Sequence, residues 1–194
     1  MPGFFFTSAQ TRWQYNSAMT KPVSLFKRRG SMLLALGFIS ITTAILIWWL
    51  PTRAPRTVED VALALLEGRE ARLSDFRGQP LLVNFWATSC APCVEELPAL
   101  HALHAEFGAR GLAMLAVAMP YDPPLNVAQF AERHRLPGHV VLDVRAEVVR
   151  AFGGVPYIPA AFLLDRNGRI VHSHIGLLDS ERFRQAIELE LTRS

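Results

Sequence analysis

The sequence predicts an α/β fold, with a mixed central sheet flanked by helices, over residues 58–194. Three observations lead to this expectation. Short apolar runs of strand length alternate with segments whose apolar residues recur at helical spacing. The run Pro-Leu-Leu-Val-Asn-Phe-Trp at 80–86 is apolar at all but one position, which is typical of a strand buried on both faces. The last two strand-like runs are joined by Asp165-Arg-Asn-Gly, a hairpin signal, so we expect antiparallel as well as parallel neighbours.

The elements follow in order along the chain. Helical spacing of the apolar residues predicts helices over 58–66, 92–107, 127–134, 147–152 and 180–191. Apolar runs bounded by turn residues predict strands over 80–86, 112–118, 140–143, 161–164 and 169–174. Ser180 belongs to a residue type that caps helix N-termini, and we expect it to cap the last helix.

Charge is divided unevenly along the chain. Residues 1–56 contain seven Lys or Arg and no Asp or Glu, whereas residues 57–194 contain thirteen basic and seventeen acidic residues. A folded part with a net charge of −4 lacks the basic surface that nucleic-acid binding requires. We therefore expect no nucleic-acid partner.

An uncharged segment of twenty residues, 31–50, precedes the predicted domain. As a helix it is about 30 Å long, the thickness of the hydrocarbon core of a bilayer. Basic residues at 27–29 stand directly before it, and basic flanks tend to remain cytoplasmic. The sequence thus predicts a single-pass anchor in the cytoplasmic (inner) membrane, with the domain on the periplasmic or extracytoplasmic side. The alternative, a cleaved secretory signal, usually has a shorter apolar region and places the domain on the same side.

The flanks of the anchor complete the predicted domain organisation. Residues 1–30 are expected to form a cytoplasmic segment. Met19 is itself suited to begin an anchored chain, so residues 1–18 are compatible with an overextended start. Residues 51–57 contain two Pro and two Arg and are interpreted as a linker to the domain at 58–194.

The sequence has two cysteines, Cys90 and Cys93, in one Cys-x-x-Cys that follows a predicted strand and begins a predicted helix. A disulfide-stapled secreted domain carries more cysteines, and a zinc site needs two further ligands. At a helix start, unpaired N–H groups and the positive end of the helix dipole stabilise a thiolate. We therefore expect Cys90 to be the exposed nucleophile and Cys93 to resolve the mixed disulfide. Pro92 suits the first helical turn, where no N–H is needed.

Two segments extend this pattern. Residues 83–98 read Val-Asn-Phe-Trp-Ala-Thr-Ser-Cys-Ala-Pro-Cys-Val-Glu-Glu-Leu-Pro, and residues 158–165 read Ile-Pro-Ala-Ala-Phe-Leu-Leu-Asp. They resemble the signatures of the thioredoxin-like family, in particular of its membrane-tethered, extracytoplasmic branch typified by TlpA and ResA. The resemblance covers residues 57–194. It implies a thioredoxin-like fold preceded by one transmembrane helix, and a thiol–disulfide oxidoreductase that reduces protein disulfides.

The resemblance also assigns roles to residues outside the Cys-x-x-Cys. It implies that Pro159 is the cis-proline that lies against the cysteines. Pro156 is a rival, but Pro159 directly precedes a predicted strand. Glu96 matches the acid that tunes the thiols in the ResA-like branch. It follows Cys93 by three residues, and on a helix that spacing places the two side chains close together. The alternative for Glu96 is a solvated helix glutamate.

These assignments define the predicted site and its partners. The implied catalytic residues are Cys90, Cys93, Glu96 and Pro159, and the implied substrate-binding residues are Trp86, Ser89, Pro92 and Ile158. The redox-active disulfide is the only implied redox group, with no other cofactor and no metal. The implied partners are proteins with disulfides or thiols, for example in cytochrome c or copper-site maturation, and a transmembrane electron donor.

The chain departs from the family pattern at two positions. Thioredoxins usually carry a buried Asp where this chain has Asn84, so proton transfer falls to water or Glu96. Ser89 replaces the usual Trp before the first cysteine, which leaves less apolar surface for docking.

Other functions fit the sequence less well. A copper chaperone of the Sco kind uses Cys-x-x-x-Cys, one residue more than the spacing in this chain. A disulfide oxidant usually stabilises its thiolate with a His between the cysteines, where this chain has Ala-Pro. A peroxidase needs Pro-x-x-x-Thr-x-x-Cys, which this sequence does not contain. A metal held by His101 and His104 is the alternative to a polar helix face. His172 and His174 are expected to face solvent.

Overall fold

The computed structural model describes two parts of the chain, residues 38, 40–43 and 45, which are helical, and residues 56–193. The chain divides into two units, Met1–Thr52 and Arg53–Ser194, and the second contains the predicted domain. Within the described parts, no helix combines the length and the apolar character needed to cross a membrane. Most of the predicted anchor at 31–50, all of residues 1–30 and most of the linker lie outside the described residues, so these assignments stay predictions.

The domain is built on a five-stranded mixed sheet and a small hairpin. The hairpin pairs β1 (Ala62–Ala64) with β2 (Glu70–Arg72). The strands of the sheet are β3 (Leu81–Trp86), β4 (Ala113–Ala118), β5 (His139–Leu142), β6 (Ala160–Leu164) and β7 (Ile170–Ile175). Their order is β5-β4-β3-β6-β7, with β3, β4 and β5 parallel and with β6 and β7 antiparallel to their neighbours. The mixed sheet confirms the predicted fold class.

Helices connect and cover these strands. They are α1 (Ala91–Glu95), α2 (Leu97–Phe107), α3 (Pro124–His134), α4 (Glu147–Ala151) and α5 (Ser180–Thr192). The expected helix over 92–107 is present, but it is divided at Glu96, which ends α1 and caps α2. The carboxylate of Asp179 caps α5 by accepting the Arg182 N–H at 3.2 Å, so the expectation that Ser180 is the cap is wrong.

The core lies on both faces of β3, which is buried at all six positions. Val83 and Phe85 face a cluster completed by β4, β5 and α4, whereas Leu82 faces one formed with α2 and α5. Burying a large apolar side chain contributes roughly 1.5–3 kcal/mol, so this strand is fixed firmly in the sheet. The end of β3 is therefore a rigid platform for the residues that follow it.

The prediction of a helix over residues 58–66 is wrong. Alternating residues turn inward there, so that Leu63 and Leu65 are buried while Ala62 and Ala64 are exposed, the period of a strand. Gly68 adopts the left-handed conformation, φ +83°, and turns the chain into β2, a strand the sequence did not predict. The other predicted strands and helices are confirmed, with shifts of up to three residues at their ends.

Candidate active site

The loop from Ala87 to Cys90 joins the buried strand β3 to helix α1. The Cys90 N–H donates to the Ala87 carbonyl at 3.1 Å, which closes a turn. Cys90 then caps α1, and its Sγ accepts the backbone N–H of Cys93 at 3.2 Å. The sulfur thus lies where unpaired N–H groups of a helix start can stabilise a thiolate. Cys90 and Cys93 form a disulfide.

The two sulfurs differ in accessibility. Cys90 is half-buried, and its neighbours Ser89, Ala91 and Pro92 are exposed. Cys93 is only 3% exposed and packs in a cluster with Trp86. A substrate disulfide can therefore approach Cys90 but not Cys93. This asymmetry supports the predicted roles of nucleophile and resolving thiol.

Glu96 is a buried acid and not a solvated helix residue, since its exposed fraction is 4%. Its Oε1 accepts the side-chain N–H of Asn84 at 2.7 Å, and its Oε2 accepts the backbone N–H of Leu178 at 3.2 Å. Burial raises the pKa of the Glu96 carboxyl from its ordinary value of 4.5 to about 7, while the two hydrogen bonds oppose that shift. Near neutral pH this group can both accept and release a proton.

A small cavity lies beneath Cys93. It is lined by Asn84, Trp86, Cys93, Leu97 and Ala116, among others, and leaves about 10 Å³ for the centre of a water molecule. That volume corresponds to about one water site. Asn84 therefore contacts both this cavity and the carboxylate of Glu96. The sequence identified Asn84 as a departure from the family pattern, but it did not predict the contact between Asn84 and Glu96.

Trp86 lies in the core, in the cluster that contains Cys93. It is the last residue of β3, is 3% exposed, and stacks on Phe130 with ring centroids 4.8 Å apart. Its indole N–H is buried and has no hydrogen-bond partner within the described residues. Its burial allows it to support Cys93 from within the core, and the substrate-binding role implied for Trp86 stays a prediction.

The segment before β6 lies against the cysteines. The Ile158–Pro159 peptide bond is cis, as the resemblance implies. Ile158 is half-buried and packs against the cluster that contains Cys93, and Cys90 packs against that cluster too. The buried Pro159 accepts the Gly176 N–H at its carbonyl at 2.8 Å, which ties it to the end of β7. That Ile158 pairs with a substrate chain stays a prediction.

The histidines considered as alternatives are placed apart from this site. His101 directs Nε2 at the backbone carbonyl of His134, 3.2 Å away, and His104 is exposed. No group of three or more His, Cys, Asp or Glu side chains suited to a metal occurs among the described residues. His172 is half-buried and packs edge-on against Phe183, so the expectation that it faces solvent is wrong.

Comparison with known proteins agrees with this geometry. Residues 55–173 match the AhpC/TSA family. The thiol-disulfide oxidoreductase ResA of Geobacillus thermodenitrificans is 39% identical over 132 residues, which are 68% of this chain and 75% of that protein. The chain belongs to the AhpC/TSA family of thioredoxin-like proteins. With its Cys90–Cys93 pair it is a thiol–disulfide oxidoreductase.

Solved structures of similar proteins show the same fold. A crystal structure from Chlorobium tepidum, assigned as a thiol:disulfide interchange protein DsbE, has a TM-score of 0.64 at 28% identity and covers 71% of this chain and 96% of that chain. A solution structure from Neisseria meningitidis, assigned as a thioredoxin, has a TM-score of 0.66 at 30% identity and covers 73% of this chain and 93% of that chain. The thioredoxin-like fold is thereby confirmed.

Proposed function

We propose that this oxidoreductase reduces disulfides of other proteins in an extracytoplasmic compartment, and that residues 31–50 anchor it in the membrane. The observation that carries the proposal is the pairing of a half-exposed Cys90 with a buried Cys93 and a buried acid behind it, Glu96. The pair supplies two electrons, and the acid supplies proton exchange.

The reaction begins with the reduced dithiol. The Cys90 thiolate attacks one sulfur of the substrate disulfide, a mixed disulfide forms, and the second substrate sulfur leaves as a thiolate that takes up a proton. Cys93 then loses its proton and attacks Cys90 Sγ. The substrate leaves fully reduced, and the enzyme holds the Cys90–Cys93 disulfide. Two electrons have passed from the dithiol to the substrate.

Glu96 is the group best suited to receive the proton of Cys93. Its pKa of about 7 leaves it partly ionised at neutral pH. Its partner Asn84 also lines the cavity beneath Cys93. The Asn84 amide cannot take up a proton, so its part is to orient the Glu96 carboxylate, which is the acceptor we propose.

The surroundings of the two cysteines favour electron flow from the dithiol to the substrate. The residues between them, Ala91 and Pro92, offer no cation or imidazole to stabilise the thiolate further. The ionised Glu96 carboxylate opposes a negative charge on Cys93. A dithiol protein is a strong oxidant when its reduced form is unusually stable. Both effects act against such stability and therefore favour a reductant.

The location follows from the predicted anchor and its basic flank. In an oxidising compartment a reductase must receive electrons across the membrane, so a transmembrane electron donor is part of the proposal. Disulfides of apocytochrome c and of copper-assembly proteins are the substrates we propose, on the strength of the resemblance to the ResA-like branch.

Redox titration against glutathione and dithiothreitol tests the direction. We expect a potential on the order of −200 to −270 mV, whereas a value near about −120 mV belongs to an oxidant. Topology is tested separately with a reporter that is active only outside the cytoplasm, fused after Ser194. An inactive reporter and a domain protected from protease in spheroplasts would refute the location and leave the chemistry untouched.

A further inference from the structure

A second buried acid lies beside the active-site loop and takes no part in the steps above. Asp122 is 8% exposed and lies in the loop between β4 and α3. Its Oδ2 accepts the backbone N–H of Thr88 at 2.5 Å, and its Oδ1 accepts the Thr88 hydroxyl at 2.7 Å. Thr88 precedes Cys90 by two residues. A single carboxylate therefore holds the loop just ahead of the nucleophile at two atoms.

Asp122 is itself held in place by its own loop. Its N–H donates to the Met119 carbonyl at 2.9 Å. Pro123 and Pro124 follow it, and a residue before proline is restricted to extended conformations. Helix α3 begins here, but Pro123 is its cap and no side chain completes that cap. The Asp122 carboxylate is thus committed to Thr88 and not to the helix.

We propose that Asp122 is a positioning residue that holds Thr88, and through it Cys90, in the attacking arrangement when the disulfide is open. In the oxidised enzyme the Cys90–Cys93 bond fixes Cys90 covalently. Once that bond is reduced, Cys90 keeps its place at the start of α1 only through noncovalent contacts. The two hydrogen bonds to Asp122 therefore stabilise the reduced enzyme more than the oxidised one. The proposal rests on the oxidoreductase activity of the family and not on direction or location.

The chain provides a matched control in Asp143. This carboxylate is 5% exposed and also accepts two hydrogen bonds, from the N–H groups of Val148 at 3.1 Å and Val149 at 2.9 Å. It follows β5, two strands away from β3 in the sheet. Its loss should destabilise the fold, but equally in both redox states.

The experiment measures unfolding by denaturant for the oxidised protein and for the protein reduced with dithiothreitol. The variants are Asp122→Ala, Thr88→Val, Thr88→Ser and Asp143→Ala. Thr88→Val removes one of the two hydrogen bonds and keeps the carboxylate, so it remains informative if Asp122→Ala fails to fold. Thr88→Ser keeps both donors.

We expect Thr88→Val to raise the unfolding equilibrium constant of the reduced form about threefold to tenfold more than that of the oxidised form. By linkage, the equilibrium with glutathione should shift toward the disulfide by the same factor, and Cys90 alkylation at neutral pH should slow. Thr88→Ser should restore all three quantities, and Asp143→Ala should change the two forms alike. An equal loss in both redox states of Thr88→Val, with an unchanged glutathione equilibrium, would overturn the proposal and leave Asp122 a structural residue.

Discussion

The front and the back of the dithiol differ in exposure and in the ionisable groups they carry. The front of the site, residues 89–92 and 94, is half-buried or exposed, carries no charge and presents Cys90. The back, which consists of Asn84, Trp86, Cys93 and Glu96, is buried and contains the acid whose pKa is about 7. Under the proposed function, the front makes contact with the partner protein and the back exchanges the proton, so each can be changed without the other.

The largest effect is expected when the two cysteines are exchanged for serine one at a time. Cys90→Ser should abolish turnover and covalent trapping, because no accessible thiol remains. Cys93→Ser should still attack and should accumulate mixed disulfides that it cannot release. Nonreducing electrophoresis with a disulfide substrate measures both outcomes. Trapping by Cys90→Ser would break the assignment of front and back.

Glu96→Gln should change the pH dependence of stability. The folded pKa of Glu96 is raised, so its protonated form favours folding below pH 4.5 and that contribution is lost as the pH rises to about 7. The glutamine side chain of the variant does not titrate, so the variant does not lose this stability as the pH rises. Between pH 4 and 8 the stability of Glu96→Gln relative to the parent should rise by up to about 3 kcal/mol, an upper bound from the size of the shift.

The measurement is denaturant unfolding of both oxidised proteins across that pH range, so that no thiol titrates. Gln can keep both contacts if the Asn84 amide turns over, and the loss of stability at low pH should therefore be small. In the reduced proteins, exchange with a substrate disulfide should slow in the variant. Parallel stability curves and equal exchange rates would reduce Glu96 to a residue of the core.

The smallest effect is expected at the front. Ser89→Trp adds exposed aromatic surface next to Cys90 and should lower KM for a protein disulfide by about twofold to tenfold. The reduction potential and the pH dependence of stability should stay those of the parent, because Ser89 is exposed on the front of the site. Steady-state kinetics with a folded protein substrate checks the first, and glutathione titration the second.

Contiguous residues explain why much of this could be predicted from the sequence. The Cys-x-x-Cys, the strand before it and the helix after it lie within one stretch of chain, and periodicity suffices to place them. Glu96 was also within reach, because helix spacing puts it close to Cys93. Its buried contacts were not, since one of them is the backbone N–H of Leu178, which is distant in sequence.

Contacts between loops could not be predicted from the sequence. Thr88 and Asp122 are thirty-four residues apart and meet only because β3 and β4 are adjacent parallel strands whose ends lie side by side. The hairpin at 62–72 was missed because its strands are three residues each and consist of Ala, Leu, Glu and Arg, which all favour helices. The burial of Trp86 was also beyond the motif, which does not give the direction in which a side chain points.

The most direct test of the central claim is the alkylation of the reduced, unmodified enzyme, followed by mass spectrometry of each cysteine across pH. The account predicts that Cys90 is labelled first at neutral pH, because its sulfur is accessible and lies at a helix start, while Cys93 reacts much more slowly behind it. Labelling of Cys93 as fast as Cys90 would show that the back of the site is open, and would contradict the division of roles between the two thiols.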